Sequence, residues 1–301
     1  MKTYFIRHTE KLSIDTYTRL KLWAENRVAI HFPFTKGRDK SVRFADSKSL
    51  NPLDYEGTDA DAIKTFVEIA KHGGYICSRN SAFPNECLIG MVKPNSKIEL
   101  QNGFWDDSKS RVSVYKTIKL RKPQKVRIEK ISALLVGVPR QGTIKPWNSC
   151  GDRINKLVDG LAIDASVDNL LPVEQEIMCS EFLRSKLADK YGLPRAEMFL
   201  MPVGRTMENI DIYAMTKDGE IIFSQVTFYK LGSVQAKEKL KRLEEYVSSK
   251  NRLVFFCDCE KPQIDNSVFI FPLRLVYSEF ISTPIGVKWL KKIGLHLNYG
   301  H

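Results

Sequence analysis

The spacing of apolar and polar positions divides the chain into short strands and amphipathic helices. Residues 2–7 read as a strand and 16–26 as a helix with Tyr17, Leu20 and Trp23 or Ala24 on one side. A second strand is expected over 27–32. After a polar loop, residues 59–71 place Ile63, Phe66, Val67 and Ala70 on one helical stripe, and Gly73-Gly74 ends it. Residues 75–78 and 87–92 look like paired strands, and 132–138 is a short apolar strand. A connector punctuated by Gly and Pro follows, with a short helix near 152–158. The domain boundary is therefore expected at about 160–170, giving domains 1–165 and 166–301.

Beyond it, Pro172 suits the first position of a helix, where its missing N–H is harmless, and Glu174 and Glu176 favour the helix dipole in the first turn. Ile177, Phe182, Leu183 and Leu187 form its apolar side. Strands are expected over 197–201, 210–215 and 220–228, then a helix over 234–249 with Leu240, Leu243 and Val247 inward. After its opening arginine the run RLVFFC at 252–257 is continuously apolar, as in a strand buried on both faces, and 268–271 adds a further strand.

Composition narrows the class. A 301-residue chain with 43% hydrophobic and 27% charged residues is that of a globular protein with two cores. Arg7, Glu10 and Asp15 interrupt what would be the core of a signal sequence, and no run reaches about eighteen uncharged apolar residues, so a cytoplasmic protein with no membrane partner is expected. Cys77, Cys87, Cys150, Cys179, Cys257 and Cys259 form no disulfide framework, and the single residue between the last two makes a poor zinc clip. The net charge of +12 is unevenly spread: residues 1–165 hold 29 Lys/Arg against 18 Asp/Glu, and residues 166–301 hold 18 against 17. Such an excess captures polyanions, which makes DNA the expected partner.

Lys116, Lys119, Arg121, Lys122, Lys125, Arg127 and Lys130 cluster around a single acid, Glu129. Alternation at Val126, Ile128 and Ile131 suggests a strand and Pro123 interrupts it, so the cluster reads as a basic edge able to follow phosphates, or equally as a solvated edge guarded by lysines. Trp23, Phe32, Trp105 and Trp147 are candidates for stacking on an extruded base, against the commoner alternative that each is core. A strand and helix leading to RVAIHF, then GYICSRN followed by LIGMVKP, resembles the small barrel of the PUA and EVE-like group. That resemblance covers about residues 1–130 and implies binding of RNA or of modified DNA bases.

In the second part the order helix, three strands, helix, strand resembles the α-β-β-β-α-β core of the PD-(D/E)xK nucleases. The segment NIDIYAMTKDGEIIFSQVT is similar to that family's metal-binding hairpin, with Asp211 at its first acid and Gln225-Val226-Thr227 at (D/E)-x-K. Gln at the middle position, and Glu176 on a helix before Phe182 and Leu183, resemble the Mrr-type restriction endonucleases. The fold class so implied is α/β, a restriction-endonuclease-like core preceded by a mixed α+β PUA/EVE-like barrel. The resemblance also implies Mg²⁺ or Mn²⁺ held by Asp211, Gln225 Oε1, the Val226 carbonyl and, through water, Glu176, an oxygen donor set that suits a hard ion. For Asp211 to face Gln225, Thr216 must pair with Glu220, leaving Lys217-Asp218-Gly219 as a three-residue loop with Gly in the left-handed place. The departure from the family is Thr227 where it has lysine; Lys230 would face the other side of a regular strand unless a bulge turned it.

Two functions follow. One is a metal-dependent DNA endonuclease, with a restriction or phage-defence role and modified-base selectivity implied by the resemblance. The other is a nucleic-acid-binding or sensing protein whose nuclease-like domain no longer catalyses, as Thr227 suggests. Cutting both strands usually asks for two sites, which makes a homodimer compatible with the first.

Overall fold

A computed structural model describes residues 1–8, 14–32, 48–110, 112–127, 142–147, 151–200 and 209–296. The expected strand over 132–138, Lys130, Cys150 and the end of the expected strand over 197–201 lie outside the described residues. The chain is mixed α/β and divides into two units, Met1–Ile163 with Lys292–Gly294, and Asp164–Lys291 with Leu295–His301. Among the described residues no helix is long and apolar enough to cross a membrane.

Unit 1 contains β1 (Thr3–His8), α1 (Thr16–Ala24), β2 (Arg27–Ile30), α2 (Gly57–His72), β3 (Gly74–Asn80), β4 (Glu86–Val92), β5 (Glu99–Phe104), β6 (Val112–Lys119), β7 (Arg121–Arg127), β8 (Ile144–Pro146) and α3 (Gly151–Asp159). One sheet has the order β7-β4-β3-β1-β8 and the other β2-β6-β5. β1 and β3 run parallel with Phe5 opposite Cys77, and a parallel pair needs a crossover, which α1, β2 and α2 provide. Ile63, Phe66, Ile69 and Ala70 of α2 are buried, and Ile63, Phe66 and Ile69 close the core over Ile6, Val28, Ile76 and Leu88. Gly73 ends α2 at φ 75, and a Cβ there would meet the Val92 carbonyl oxygen at 2.8 Å, so only glycine serves. The first helix departs from its expected stripe: Tyr17 and Leu20 are exposed, while Thr18, Arg19, Leu22 and Trp23 are buried. The cause is at its start, where Asp15 caps the Thr18 N–H at 2.9 Å and also accepts from the Phe104 N–H at 3.0 Å, fixing the helix's rotation.

Unit 2 contains α4 (Pro172–Arg184), α5 (Lys186–Lys190), β9 (Met198–Phe199), β10 (Ile212–Met215), β11 (Ile221–Lys230), α6 (Val234–Glu244), β12 (Asn251–Asp258), β13 (Gln263–Asp265), β14 (Val268–Pro272), α7 (Leu273–Ile281) and α8 (Pro284–Lys292). Its sheet has the order β13-β14-β12-β11-β10-β9. β9, β10 and β11 form an antiparallel meander, and β11, β12 and β14 run parallel. β12 is the strand expected from RLVFFC. Phe255 packs with Ala236 and Leu243 of α6, whereas Phe256 turns to the other face and meets Phe271, which packs on Phe182 of α4. Helix 234–249 is shorter than expected: α6 ends at Glu244 and Val247 is exposed. The first helix of the unit likewise breaks at Ser185, whose extended backbone and Oγ cap the Leu187 N–H at 3.2 Å and begin α5.

Candidate active site

The hairpin β10–β11 has the expected register. Ile212 faces Ser224 and Met215 faces Ile221, and the Thr216 N–H donates to the Glu220 carbonyl at 2.9 Å. The loop is Lys217-Asp218-Gly219, with Gly219 at φ 82 and its N–H on the Thr216 carbonyl at 3.1 Å. Left-handed backbone at the third loop position is what favours glycine there.

At the other end of the hairpin the ladder breaks. The Asp211 N–H donates to the Ser224 carbonyl at 2.9 Å, one residue out of step, as in a bulge. The Asp211 carboxylate then takes the ladder's next donor itself: its Oδ2 accepts the Val226 N–H at 2.8 Å. Asp211 and Gln225 are therefore not a regular cross-strand pair; the carboxylate clasps the backbone of the Gln225-Val226-Thr227 segment. Gln225 is buried and its Nε2 donates to the Asn209 carbonyl, so its side chain reaches across to the stretch that leads into Asp211. Its Oε1 is buried and has no hydrogen-bond partner among the described residues, a state that costs about 1–3 kcal/mol and that a ligand would relieve.

Glu176 enters from α4, where it is half-buried. Burial pushes the Cys179 thiol well above its usual pKa, and the carboxylates of Asp211 and Glu176 push it further. Among the described residues no group of three His, Cys, Asp or Glu side chains is placed to hold a metal ion. Gln225 stands opposite Phe255 in the parallel register and so faces α6, whereas Glu176 is carried by α4, which packs on the other face, so the structure does not bring these two side chains together. A divalent ion here would depend on Asp211, Gln225 Oε1 and the Val226 carbonyl, with Glu176 acting through water. All are oxygen donors, and the orphaned Gln225 Oε1 fits a hard cation such as Mg²⁺ or Mn²⁺.

Thr227 is buried, and its Oγ1 accepts the Tyr229 N–H at 3.3 Å. β11 does shift register against β12 between Val226 and Lys230, but Lys230 pairs with Asp258 and lines a separate depression of about 460 Å³ with Cys259 and Arg274. The cation that does reach the segment was not among the expected residues. Lys239 of α6 places Nζ 3.4 Å from the Val226 carbonyl oxygen, and Arg242, one turn on, donates to Asn209 Oδ1 at 3.2 Å. A signal for Lys239 was present in the sequence, since it stands three residues after Ala236 and four before Leu243, on the inward stripe where an apolar residue belongs.

In unit 1 the basic cluster separates. Arg121, Lys122, Lys125 and Arg127 are exposed on β7, an edge strand of its sheet, and Lys119 is exposed at the end of β6. Lys125 lies 5.5 Å over the Trp23 ring, and Lys122 pairs with Asp159 at 2.6 Å. Lys116 is a correction: it is fully buried, with Nζ 5.4 Å from the Tyr55 ring centre, because β6 is paired on both sides and covered along most of its length. It cannot meet a phosphate. The stacking candidates also change. Trp23 is buried against Phe83, Trp147 is buried edge-on to Phe5 and Phe32 lies in the core, while Trp105 is half-buried, edge-on to His31.

No protein-family model and no curated protein sequence matches the chain. Solved structures to which it is similar include the MspJI restriction endonuclease in complex with a 27-mer oligonucleotide, at 9% identity over 91% of this chain and 76% of that chain, with a TM-score of 0.28. Another is a repair endonuclease from Pyrococcus abyssi, at 15% identity over 71% and 74% of the two chains, with a TM-score of 0.18. Similarity at this level carries no argument about chemistry, which rests on the geometry above.

Proposed function

We propose that the chain is a metal-dependent DNA endonuclease, with unit 2 a PD-(D/E)xK-type hydrolytic domain and unit 1 a PUA/EVE-like domain that binds DNA. The observation that carries this reading is the clasp of Asp211 on the Val226 N–H beside the orphaned Gln225 Oε1. It stands on a helix, a three-stranded meander, a crossover helix and a parallel strand, the order the nuclease core requires. Asp211, Gln225 and Val226 would hold Mg²⁺ or Mn²⁺, with Glu176 acting through water. An ion held there would supply activation of a water and neutralisation of charge on the phosphate. The chain's own share is positional: the carboxylate is fixed by a backbone N–H, and the Gln amide by the Asn209 carbonyl, so neither needs to reorganise when substrate arrives. The exposed basic residues of β7 supply sequence-independent contacts to phosphates. Restriction or defence, selectivity for a modified base and a homodimer belong to this reading through the family resemblance.

A second reading, a DNA-binding or sensing protein that no longer cuts, is favoured by Thr227 and by the absence of a third carboxylate among the described residues at the site. Cleavage of plain and base-modified plasmid by the wild type, Asp211→Ala and Gln225→Glu separates the two. The nuclease reading expects Mg²⁺- or Mn²⁺-dependent nicking that Asp211→Ala abolishes while DNA binding persists. Absence of cutting on every substrate, with DNA binding intact, decides for the sensor.

A further inference from the structure

We propose that Lys239 supplies the positive charge that Thr227 lacks, an inference that rests on the nuclease reading of unit 2. The ammonium lies 3.4 Å from the Val226 carbonyl, the group between Gln225 and Thr227, so the crossover helix brings a charge to the backbone of the segment in which the strand lysine is missing. The topology makes this reach natural. α6 follows β11 directly and packs Ala236 and Leu243 against the sheet, so a long side chain on that same stripe extends along β11. Lys239 is half-buried with its ammonium directed at the strand, a placement open to a lysine because its long stem can lie along the helix–sheet interface while the charge keeps a polar target. A carbonyl oxygen has two lone pairs, so Val226 can accept from Lys239 and still face a ligand. Lys230, the other cation near in sequence, lines the separate depression with Asp258 and Arg274.

The chemistry calls for such a group. In hydrolysis the oxygen of water bonds to phosphorus, the bond from phosphorus to the leaving ester oxygen breaks, the water's proton passes to solvent and the leaving oxygen takes one from solvent. Negative charge grows on the non-bridging oxygens as the water attacks, and a fixed cation aimed there stabilises the transition state more than the ground state.

Lys239→Met keeps the stem and removes the charge. The expected result is a fall in kcat of about 100-fold or more with KM little changed. In the same variant Mn²⁺ affinity, measured by calorimetry on the protein without DNA, should rise severalfold because a like charge has left the site. Thr227→Lys in the Lys239→Met background should recover at least about tenfold of the lost rate. A merely structural lysine would give the opposite metal result, with Mn²⁺ affinity and kcat falling together, and that outcome overturns the proposal. Wild-type kcat in Lys239→Met, alongside an inactive Asp211→Ala, overturns Lys239 alone and leaves the nuclease reading standing. A wild-type protein that binds no Mn²⁺ and cuts nothing overturns both.

Discussion

Lowering the pH should destabilise unit 1 through His8. Its ring is buried at the end of β1, Nε2 accepts the Ala29 N–H at 2.9 Å, and Nδ1 lies 3.4 Å from the Ser78 hydroxyl. Burial lowers its pKa from 6.5 to about 4, and because Nε2 is the acceptor of the Ala29 N–H, a proton placed there would have to displace that bond. The folded state thus binds this proton less readily than the unfolded state does. Stability is fully present above the unfolded pKa of 6.5 and is lost as pH falls from there to about 4. At roughly 1.4 kcal/mol per pH unit, His8 alone removes about 3 kcal/mol over that window. The assay is amide hydrogen exchange in the full chain, followed at Phe5 and Ile76 and corrected for intrinsic rates, alongside NMR titration of the ring. The ring should stay neutral down to about pH 4, and protection should fall by up to about tenfold per pH unit more steeply than in His8→Gln, whose amide oxygen can accept the same N–H. A ring that titrates at 6.5, or identical pH dependence in the two proteins, refutes the reasoning.

Other consequences are more local. Replacing Lys119, Arg121, Lys125 and Arg127 by Ala should weaken DNA binding and flatten its log–log salt slope by about 0.9 for each phosphate no longer neutralised, whereas Lys116→Ala should destabilise the fold without that change in slope, as salt titrations of binding would show. Phe255→Ala empties a fully buried position between β12 and α6 and should cost about 3–5 kcal/mol in denaturant unfolding. Gly219→Ala should cost about 1–2 kcal/mol from its left-handed backbone alone, since a Cβ there meets nothing within 4 Å.

The elements legible in the sequence were those whose own pattern matched their burial. RLVFFC and the stripe of α2 face apolar surroundings, and the hairpin loop carries its glycine where left-handed backbone demands one. Where tertiary partners decide, the pattern misleads. Asp15 rotates α1 away from its most apolar stripe, and Lys116 is drawn inside by a strand covered on both edges. β13 has only exposed side chains, and the two-residue turn that makes it, Asn266-Ser267 with both φ positive, lacks the glycine that usually marks such turns. At the site, the register of the hairpin and its three-residue loop were readable, whereas the facing of Asp211 and Gln225 that they implied is not what forms. The bulge was not readable, because it depends on a side chain taking a ladder hydrogen bond; Lys239 left a trace as a charged residue on the inward stripe, but its target on the strand is set only by the packing of α6.

The central claim, that Asp211 and Gln225 belong to a divalent-metal site, is tested most directly by Mn²⁺ calorimetry on the wild type and on Asp211→Asn. The Asn oxygen can still accept the Val226 N–H, so the clasp survives while the charge is lost. The account predicts one Mn²⁺ per chain in the wild type and an affinity reduced by about 100-fold or beyond detection in Asp211→Asn, because a hard cation loses its principal anionic ligand. Equal affinity in the two proteins, or no Mn²⁺ bound by the wild type, would contradict it.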